Sequence, residues 1–302
     1  MDRLDDIKLF LRVLDTGSIS AAARRLDISV AVASQRLKRL EGEMHVRLLH
    51  RTTRSLHPTP EGLELAEQGR ALVEDLDALV SGLRRGAGTV SGTLRVTMPS
   101  SFGNQYISPL LPEFMAAYPD VRLSMNLNDE LLDLVGAGFD LGIRVGELRD
   151  SALVARRLTS NRRVVCAAPA YLRRHGTPLT PADLAVHECL LLVGSGGPQN
   201  VWRFTDGKGN EITQRVGGRF ESTQGELIRD AAVAGLGLSL HSLWHVHEQI
   251  GRGDLKVLLP DYPIPMTYIH AVMPQRRLIP PRVRAFSDFL AGRLGDHPPW
   301  EK

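Results

Sequence analysis

Leu4, Ile7, Leu11 and Leu14 recur at helical spacing before Gly17, which predicts an amphipathic helix at the start of the chain. A second helix follows, with Ser20 as its expected N-cap and Ala22, Ala23 and Leu26 as a narrow apolar stripe. The small alanines let another helix come close. Asp27 falls where the chain must turn, a position Asp tolerates because its carboxylate bonds nearby backbone in left-handed and turn conformations. Ser29 then caps a third helix. On it Ala33, Leu37, Leu40 and Met44 share one face, while Ala31, Ser34, Gln35 and Lys38 share another, with Arg36 and Arg39 flanking. The first face reads as core and the second as solvent-facing.

Residues 46–51 and 52–59 read as two short strands around a basic turn. From 60 to about 85, Leu65, Leu72, Leu76, Leu79 and Leu83 repeat at spacings that read as a short coiled-coil seam, with a helix packed on its own domain as the plainer alternative. Residues 86–92 have hinge composition and mark the expected boundary. Beyond it, a strand at 93–98, a helix carrying Leu110, Leu111, Phe114 and Met115, and a strand at 121–127 begin an alternation that predicts α/β layers with parallel pairing. In such sheets ligands gather at the carboxyl ends of strands, where helix N-termini present free N–H groups. Ser100 and Ser101 sit at one such point, either as ligand donors or as plain helix caps.

Length and composition narrow the class. A chain of 302 residues accommodates more than one domain, and 43% hydrophobic with 24% charged residues is ordinary for a soluble globular protein. The first six residues lack the basic-then-apolar layout of a signal peptide, and the longest uncharged run, 231–247, is broken by Gly, Ser and His. Neither export nor a membrane span is expected, and a cytoplasmic location fits. Two cysteines, Cys166 and Cys189, are too few for a disulfide framework and lack the clustering of a structural zinc site. Residues 21–57 hold eight Lys/Arg against three acids, a net of +5 in a chain of net +3. That asymmetry suits a local polyanion-binding surface, although a solvated charged face has the same composition.

A helical face of small residues, one amide and cations matches what a major groove accepts. Small residues permit close entry, Gln35 can pair bidentately with adenine, and Lys38 reaches guanine or phosphate. An ordinary helical hairpin is the plainer alternative. The basic turn would lay Arg51 and Arg54 against phosphates or a minor groove.

The runs Ser20-Ala21-Ala22-Ala23-Arg24-Arg25-Leu26, Ser34 with Arg39-Leu40-Glu41, Val46-Arg47-Leu48-Leu49-His50-Arg51-Thr52-Thr53-Arg54 and Thr59-Pro60-Glu61-Gly62 stand in an order and register that resemble the LysR-type transcriptional regulators. Residues 139–148, Trp202-Arg203-Phe204, Ala234-Gly235-Leu236-Gly237 and Arg282-Val283-Arg284-Ala285-Phe286 extend the resemblance over nearly the whole chain. Departures fall at Asp27, where the family usually has Gly or Asn, at Val30, usually Gln or Pro, and at His45, usually Gly. The resemblance implies a sequence-specific DNA-binding regulator modulated by a small organic effector, with no cofactor and no metal. It implies an N-terminal all-α winged helix-turn-helix domain at 1–59, its helix-turn-helix at 19–38, and a linker and dimerisation helix at 60–88. An α/β effector domain at 89–302, two-lobed like periplasmic binding proteins, would follow, with lobe I at about 92–161 and 268–295 and lobe II at about 162–267.

Helix face, wing and resemblance together nominate Ser20, Ser29, Val30, Ala31, Ser34, Gln35, Arg36, Lys38, Arg39, Arg51, Thr53 and Arg54 for DNA. Carried onto matching positions, the family's cleft nominates Ser100, Ser101, Phe102, Asn128, Arg144, Gly146, Ser195 and Thr223 for the effector. A serine pair at a helix start with an arginine suits an anionic ligand. Implied partners are double-stranded DNA with a partly palindromic operator, a second copy as homodimer or homotetramer, RNA polymerase, and no membrane; the implied setting is the bacterial nucleoid.

Other features offer weaker readings. His241, His245 and His247 invite a metal, but no third ligand is spaced beside them, and histidines at a surface or interface near a helix end are the expectation. Neither cysteine has a neighbour that marks a nucleophile. Ser195-Gly196-Gly197 matches no phosphate-binding or nucleophile-elbow pattern. The rivals, a pure solute-binding protein or an enzyme on the same two lobes, lack respectively an export signal and an acid/base or metal constellation.

Overall fold

The computed structural model describes residues 2–51, 56–85, 90–130, 132–146, 148, 153–194, 196–274, 279–295 and 298–301. Two compact units emerge, one built on residues 1–94 with 119–122 and 133–139, the other on the remainder.

The N-terminal part opens with α1 (Asp2–Thr16), α2 (Ile19–Arg25) and α3 (Val30–Met44). Leu9, Phe10 and Val13 of α1, Ala22 and Ala23 of α2, and Ala33, Leu37 and Leu40 of α3 are buried together with Leu48, Leu49 and Val73. Each large apolar side chain so buried contributes roughly 1.5–3 kcal/mol. Of the predicted apolar face, Leu11 is buried in this cluster and Leu4, Ile7 and Leu14 are partly buried against it. Gly17, at φ +65°, ends α1, and Ser18 caps α2, its Oγ accepting the Ala21 N–H at 3.4 Å. Ser20 is therefore not the cap but an exposed residue inside the helix. Asp27 takes φ +54° in the turn, and Ser29 caps α3 by accepting the Val32 N–H at 3.2 Å. His45 ends α3 in the left-handed conformation, φ +54°, a position that favours Gly.

Strands β1 (Leu49–Arg51) and β2 (Leu56–Pro58) pair antiparallel, and α4 spans Pro60–Arg85. Thr59 explains the start of α4. Its Oγ1 donates to the Arg47 carbonyl at 2.6 Å and accepts the Gly62 N–H at 3.0 Å, and Pro60 takes the first helical position. A Cβ on Gly62 would stand 2.1 Å from the Leu48 carbonyl oxygen, so only glycine lets the helix start this close to the wing. Leu65 and Val73 of α4 pack into the same core, whereas Leu72 is 67% exposed. The helix packs on its own domain and keeps Leu72 open to solvent. The side chains of Leu79 and Leu83 lie outside the described residues.

Beyond the linker come β3 (Gly92–Met98), a single helical turn α5 (Ser100–Phe102), a π-helical stretch (Gly103–Ile107), α6 (Leu111–Ala117), β4 (Val121–Leu127), β5 (Leu141–Val145) and β6 (Leu153–Asn161). Next are β7 (Arg163–Ala167), α7 (Pro169–His175), β8 (Cys189–Gly194), β9 (Gly197–Pro198), β10 (Val201–Thr205), β11 (Glu211–Arg215) and β12 (Glu221–Ser222). The chain closes with α8 (Gly225–Val233), β13 (Leu238–Ser242), α9 (Leu243–Arg252), β14 (Lys256–Leu258), β15 (Thr267–Pro274), α10 (Pro281–Leu294) and a last turn, Pro299–Glu301.

One sheet runs β4-β3-β5-β15-β6 and another β12-β8-β13-β7-β14, with β9 paired to β8 and β10–β11 a separate hairpin. The expected parallel pairing holds for β3–β5, β8–β12 and β8–β13, but β15 is antiparallel to β5 and β6, and β7 to β13 and β14. Only Arg162 separates β6 from β7, so the chain changes sheets there and returns between β14 and β15. Asn161 Nδ2 donates to Thr267 Oγ1 at 2.8 Å, tying the two crossings together. Phe114 of α6 meets Phe286 of α10 edge-on at 4.9 Å, while Met115, expected among the helix's apolar residues, is 40% exposed.

Candidate functional site

The outward face of α3 forms as its periodicity implied. Val30, Ala31, Gln35 and Lys38 are exposed and Ser34 is half-buried, opposite the buried Ala33, Leu37 and Leu40. Val32, not among the nominated residues, is 43% exposed on the same first turn, where an apolar side chain suits a thymine methyl. Its exposure was readable from helical spacing, since it lies off the Ala33–Leu37–Leu40 stripe.

Arg36 and Arg39 hold α3 in place. Asp6 of α1 is 1% exposed, and its two carboxylate oxygens accept Arg36 Nε at 2.6 Å and Arg39 Nε at 2.8 Å. These flanking cations therefore carry an internal partner that spacing along one helix could not reveal, since it sits 30 residues upstream. At the far end of α3, Glu41 Oε1 accepts the N–H groups of Leu48 and Leu49 at 3.0 and 3.2 Å, fixing the wing's first strand to the helix. The side chain of Arg51, and Thr53 and Arg54 altogether, lie outside the described residues.

At the carboxyl end of β3, the Ser100 N–H donates to Asp129 Oδ1 at 2.8 Å, and the Asn128 N–H to the Met98 carbonyl at 2.9 Å. Asn128 Oδ1 accepts the Glu130 N–H at 2.9 Å. Arg144, on β5, is buried, and its guanidinium donates to the carbonyls of Leu132 at 3.2 Å and Ile143 at 3.4 Å; burial lowers its pKa. Asp129 is thus held by the serine pair's backbone and the Leu132 carbonyl by the arginine. Gly146 takes φ +103° and donates to the Tyr268 carbonyl at 2.9 Å. Phe102 is fully buried, Thr223 is exposed between β12 and α8, and Ser195 lies outside the described residues.

The surface or interface expectation for two histidines is overturned. His241 and His245 are each 5% exposed, with ring centroids 5.1 Å apart. Burial lowers both pKa values, that of His245 to about 4. Periodicity could not locate them because His241 lies near the end of β13 and His245 in the first turn of α9. Among the described residues no group of three His, Cys, Asp or Glu is placed to hold a metal ion. Both cysteines are buried, and burial pushes each thiol up to about 12. Among the described residues no helix is long and apolar enough to cross a membrane.

Known proteins match both parts. Residues 4–63 fit the family profile of the bacterial regulatory helix-turn-helix protein, lysR family, and residues 87–295 that of the LysR substrate binding domain. The chain is 33% identical to the HTH-type transcriptional regulator DmlR of Escherichia coli K12, over 98% of this chain and 96% of that protein. It is 36% identical to an HTH-type transcriptional regulator of Xanthomonas campestris, over 96% of this chain and 85% of that protein. Among solved structures it resembles CrgA of Neisseria meningitidis, with 31% identity, TM-score 0.61 and coverage of 97% of this chain and 99% of that one. It also resembles the full-length Vibrio cholerae virulence activator AphB, with 30% identity, TM-score 0.57 and coverage of 96% and 98%. With a helix-turn-helix whose third helix is exposed on one face, a short wing, a linker helix and a two-lobed regulatory part matched end to end, the chain belongs to the LysR family of helix-turn-helix transcriptional regulators.

Proposed function

We propose that α3 enters the major groove of a partly palindromic operator, with Val30, Ala31, Ser34, Gln35 and Lys38 toward base edges and Ser20, Ser29, Arg51, Thr53 and Arg54 toward the backbone. Arg36 and Arg39 set the angle of the helix. The carrying observation is the pairing of one exposed, small-residue face on α3 with a buried Asp6 that anchors the same helix through Arg36 and Arg39. Binding to genomic fragments should weaken steeply with salt; no binding in dilute buffer overturns the reading. Gln35→Ala should relax sequence preference, whereas Arg54→Ala should weaken binding to every sequence, and equal effects of both would defeat the division of labour.

The working parts we assign are 1–59 for DNA, 60–88 for pairing and 89–302 for the effector. Lobe I is about 92–161 with 268–295 and lobe II about 162–267, supported by the division of strands between the two sheets. A groove of about 350 Å³ lined by Leu4, Ile7, Met44, Val46, Leu65 and Leu72 runs along α4 and supports that helix as the seam between two protomers, with tetramers as the further assembly. Contact with RNA polymerase, no catalysis of its own, and work in the cytoplasm on the nucleoid complete the reading.

For the effector we infer a small organic anion bound through Ser100, Ser101, Asn128, Arg144, Gly146, Ser195 and Thr223, with Phe102 behind them. A carboxylate, that of Asp129, already rests on the Ser100 N–H, which supports this position as an anion seat. Titration calorimetry with a panel of small carboxylates tests it; binding of cations or large apolar compounds alone refutes it.

A further inference from the structure

Residues 298–301 pack where both lobes meet, beyond the 87–295 stretch that fits the family's substrate-binding profile. Trp300 is 3% exposed. Its ring stands edge-on to Tyr106 at 4.5 Å and to Phe102 at 6.1 Å, both in the helical segment between β3 and β4 of the first sheet. Phe102 in turn meets Trp244 edge-on at 5.2 Å, and the Tyr106 hydroxyl donates to the Trp244 carbonyl at 2.7 Å with His247 Nδ1 3.3 Å away. Trp244 and His247 lie on α9, which follows β13 of the second sheet. Ser160, next to the sheet crossing, donates to Glu301 Oε1 at 3.2 Å. Pro299–Glu301 also packs directly against α9, so one short segment touches both lobes and the crossing between them.

Two further details set this cluster apart from ordinary core packing. Tyr106 is carried on a π-helical stretch, a wide turn found mostly where a helix has been adapted to a task. The indole N–H groups of Trp244 and Trp300 are both buried without a hydrogen-bond partner, a cost that packing holds in place and that a shifted arrangement could relieve.

We propose that residues 298–301 form a strap across the two lobes, with Trp300 as its pin, so that the lobes change angle only when Trp300 slips past Tyr106. Phe102 directly follows Ser100 and Ser101, so rearrangement at the serine pair reaches the pin through one buried ring. The strap rests on packing alone; its regulatory meaning rests on the effector reading above.

Spin labels at Ala116→Cys on α6 and Arg173→Cys on α7, both exposed, report the lobe distance in full-length protein diluted with unlabelled chains. The native protein should give a narrow distance distribution, Trp300→Phe one nearly as narrow, and Trp300→Ala one at least twice as wide. A folded Trp300→Ala protein with the native width overturns the proposal. Should that variant not fold, Trp300→Leu carries the same expectation and the same refutation. Broadening in a protein that binds no carboxylate in calorimetry upholds the strap and removes the effector reading, so the two fail separately.

Discussion

Replacing Asp6 by Asn removes one charge, keeps the side-chain volume and aims an amide at two guanidinium groups. Asp6 accepts two charge-assisted bonds, from Arg36 and Arg39, and a bond of that kind in a buried setting contributes about 1.5–3 kcal/mol. The arginine side chains are 24% and 42% exposed, so water screens part of the attraction and the pair together stabilises by about 2–3 kcal/mol rather than twice the upper figure. With a urea slope of about 1–3 kcal/mol per molar, the midpoint of the N-terminal transition should fall by roughly 1–2 M. DNA binding should change in a way simple destabilisation would not produce. Two cations lose an internal counter-charge, so non-specific binding at low salt should hold or strengthen, and the salt slope should steepen by about 1–2. Meanwhile α3 loses the anchor that sets its angle, and the ratio of specific to non-specific affinity should fall by about tenfold, the equivalent of about 1.4 kcal/mol. Fluorescence anisotropy on one bound genomic fragment and one scrambled duplex, across a salt series, reads all three quantities. An unchanged specificity ratio, with either stability outcome, would show that Asp6 does not orient the reading helix.

Further expectations follow from single contacts. Gly62→Ala sets a Cβ 2.1 Å from the Leu48 carbonyl oxygen and should cost about 2 kcal/mol or more in chemical denaturation, whereas Gly42→Ala, with nothing within 4 Å inside α3, should stabilise by roughly 0.5–1 kcal/mol. Buried His241 and His245 have folded-state pKa values below the ordinary 6.5, so the unfolded chain takes up their protons first and stability should fall as pH drops from about 6.5 toward 4. His245 alone should account for about 2 kcal/mol at pH 5, and in denaturation across that range His245→Phe should flatten the slope. Asp129→Asn removes the carboxylate resting on the Ser100 N–H and should raise the affinity for small carboxylates several-fold in calorimetry; weaker binding would mean Asp129 is a ligand-holding group rather than a competitor.

Elements built by local rules were legible before the structure. Ser29 as a cap, Asp27 in a left-handed turn, the 60–85 helix and the buried Ala33–Leu37–Leu40 stripe depend on neighbours three or four residues away, and periodicity reads such distances. Ser18 was missed because Ser20 stands beside the alanines and looks like the cap, though Gly17 followed by Ser18 is itself the signal of one helix ending and another beginning. Contacts between residues far apart in sequence were not legible. Nothing near Arg36 announces Asp6, and nothing near Trp300 announces Tyr106. His241 and His245 looked like surface groups because polarity along the chain says nothing about which neighbours later cover them. The parallel sheets expected from strand-helix alternation are mixed because β15 returns late in the chain and inserts between β5 and β6.

The two ends of the molecule differ in what their polar groups are free to do, and that difference bears on regulation. Gln35 and Lys38 face outward, so operator binding through them, as proposed, would add contacts to a surface already formed. In the segment proposed for the effector the Ser100 N–H is satisfied by Asp129 and the Arg144 guanidinium by the Leu132 carbonyl, both in the stretch that follows β4. On the proposed reading, an anion arriving at Ser100 exchanges partners with Asp129 rather than filling a waiting site. A ligand moves an equilibrium only by its difference in affinity between two arrangements, and a site closed by its own carboxylate in one of them supplies such a difference. By linkage, whatever factor the effector changes operator affinity by, the operator must change effector affinity by the same factor. Carboxylate titrations with and without bound duplex that gave identical affinities would therefore leave the effector segment without any hold on the reading helix.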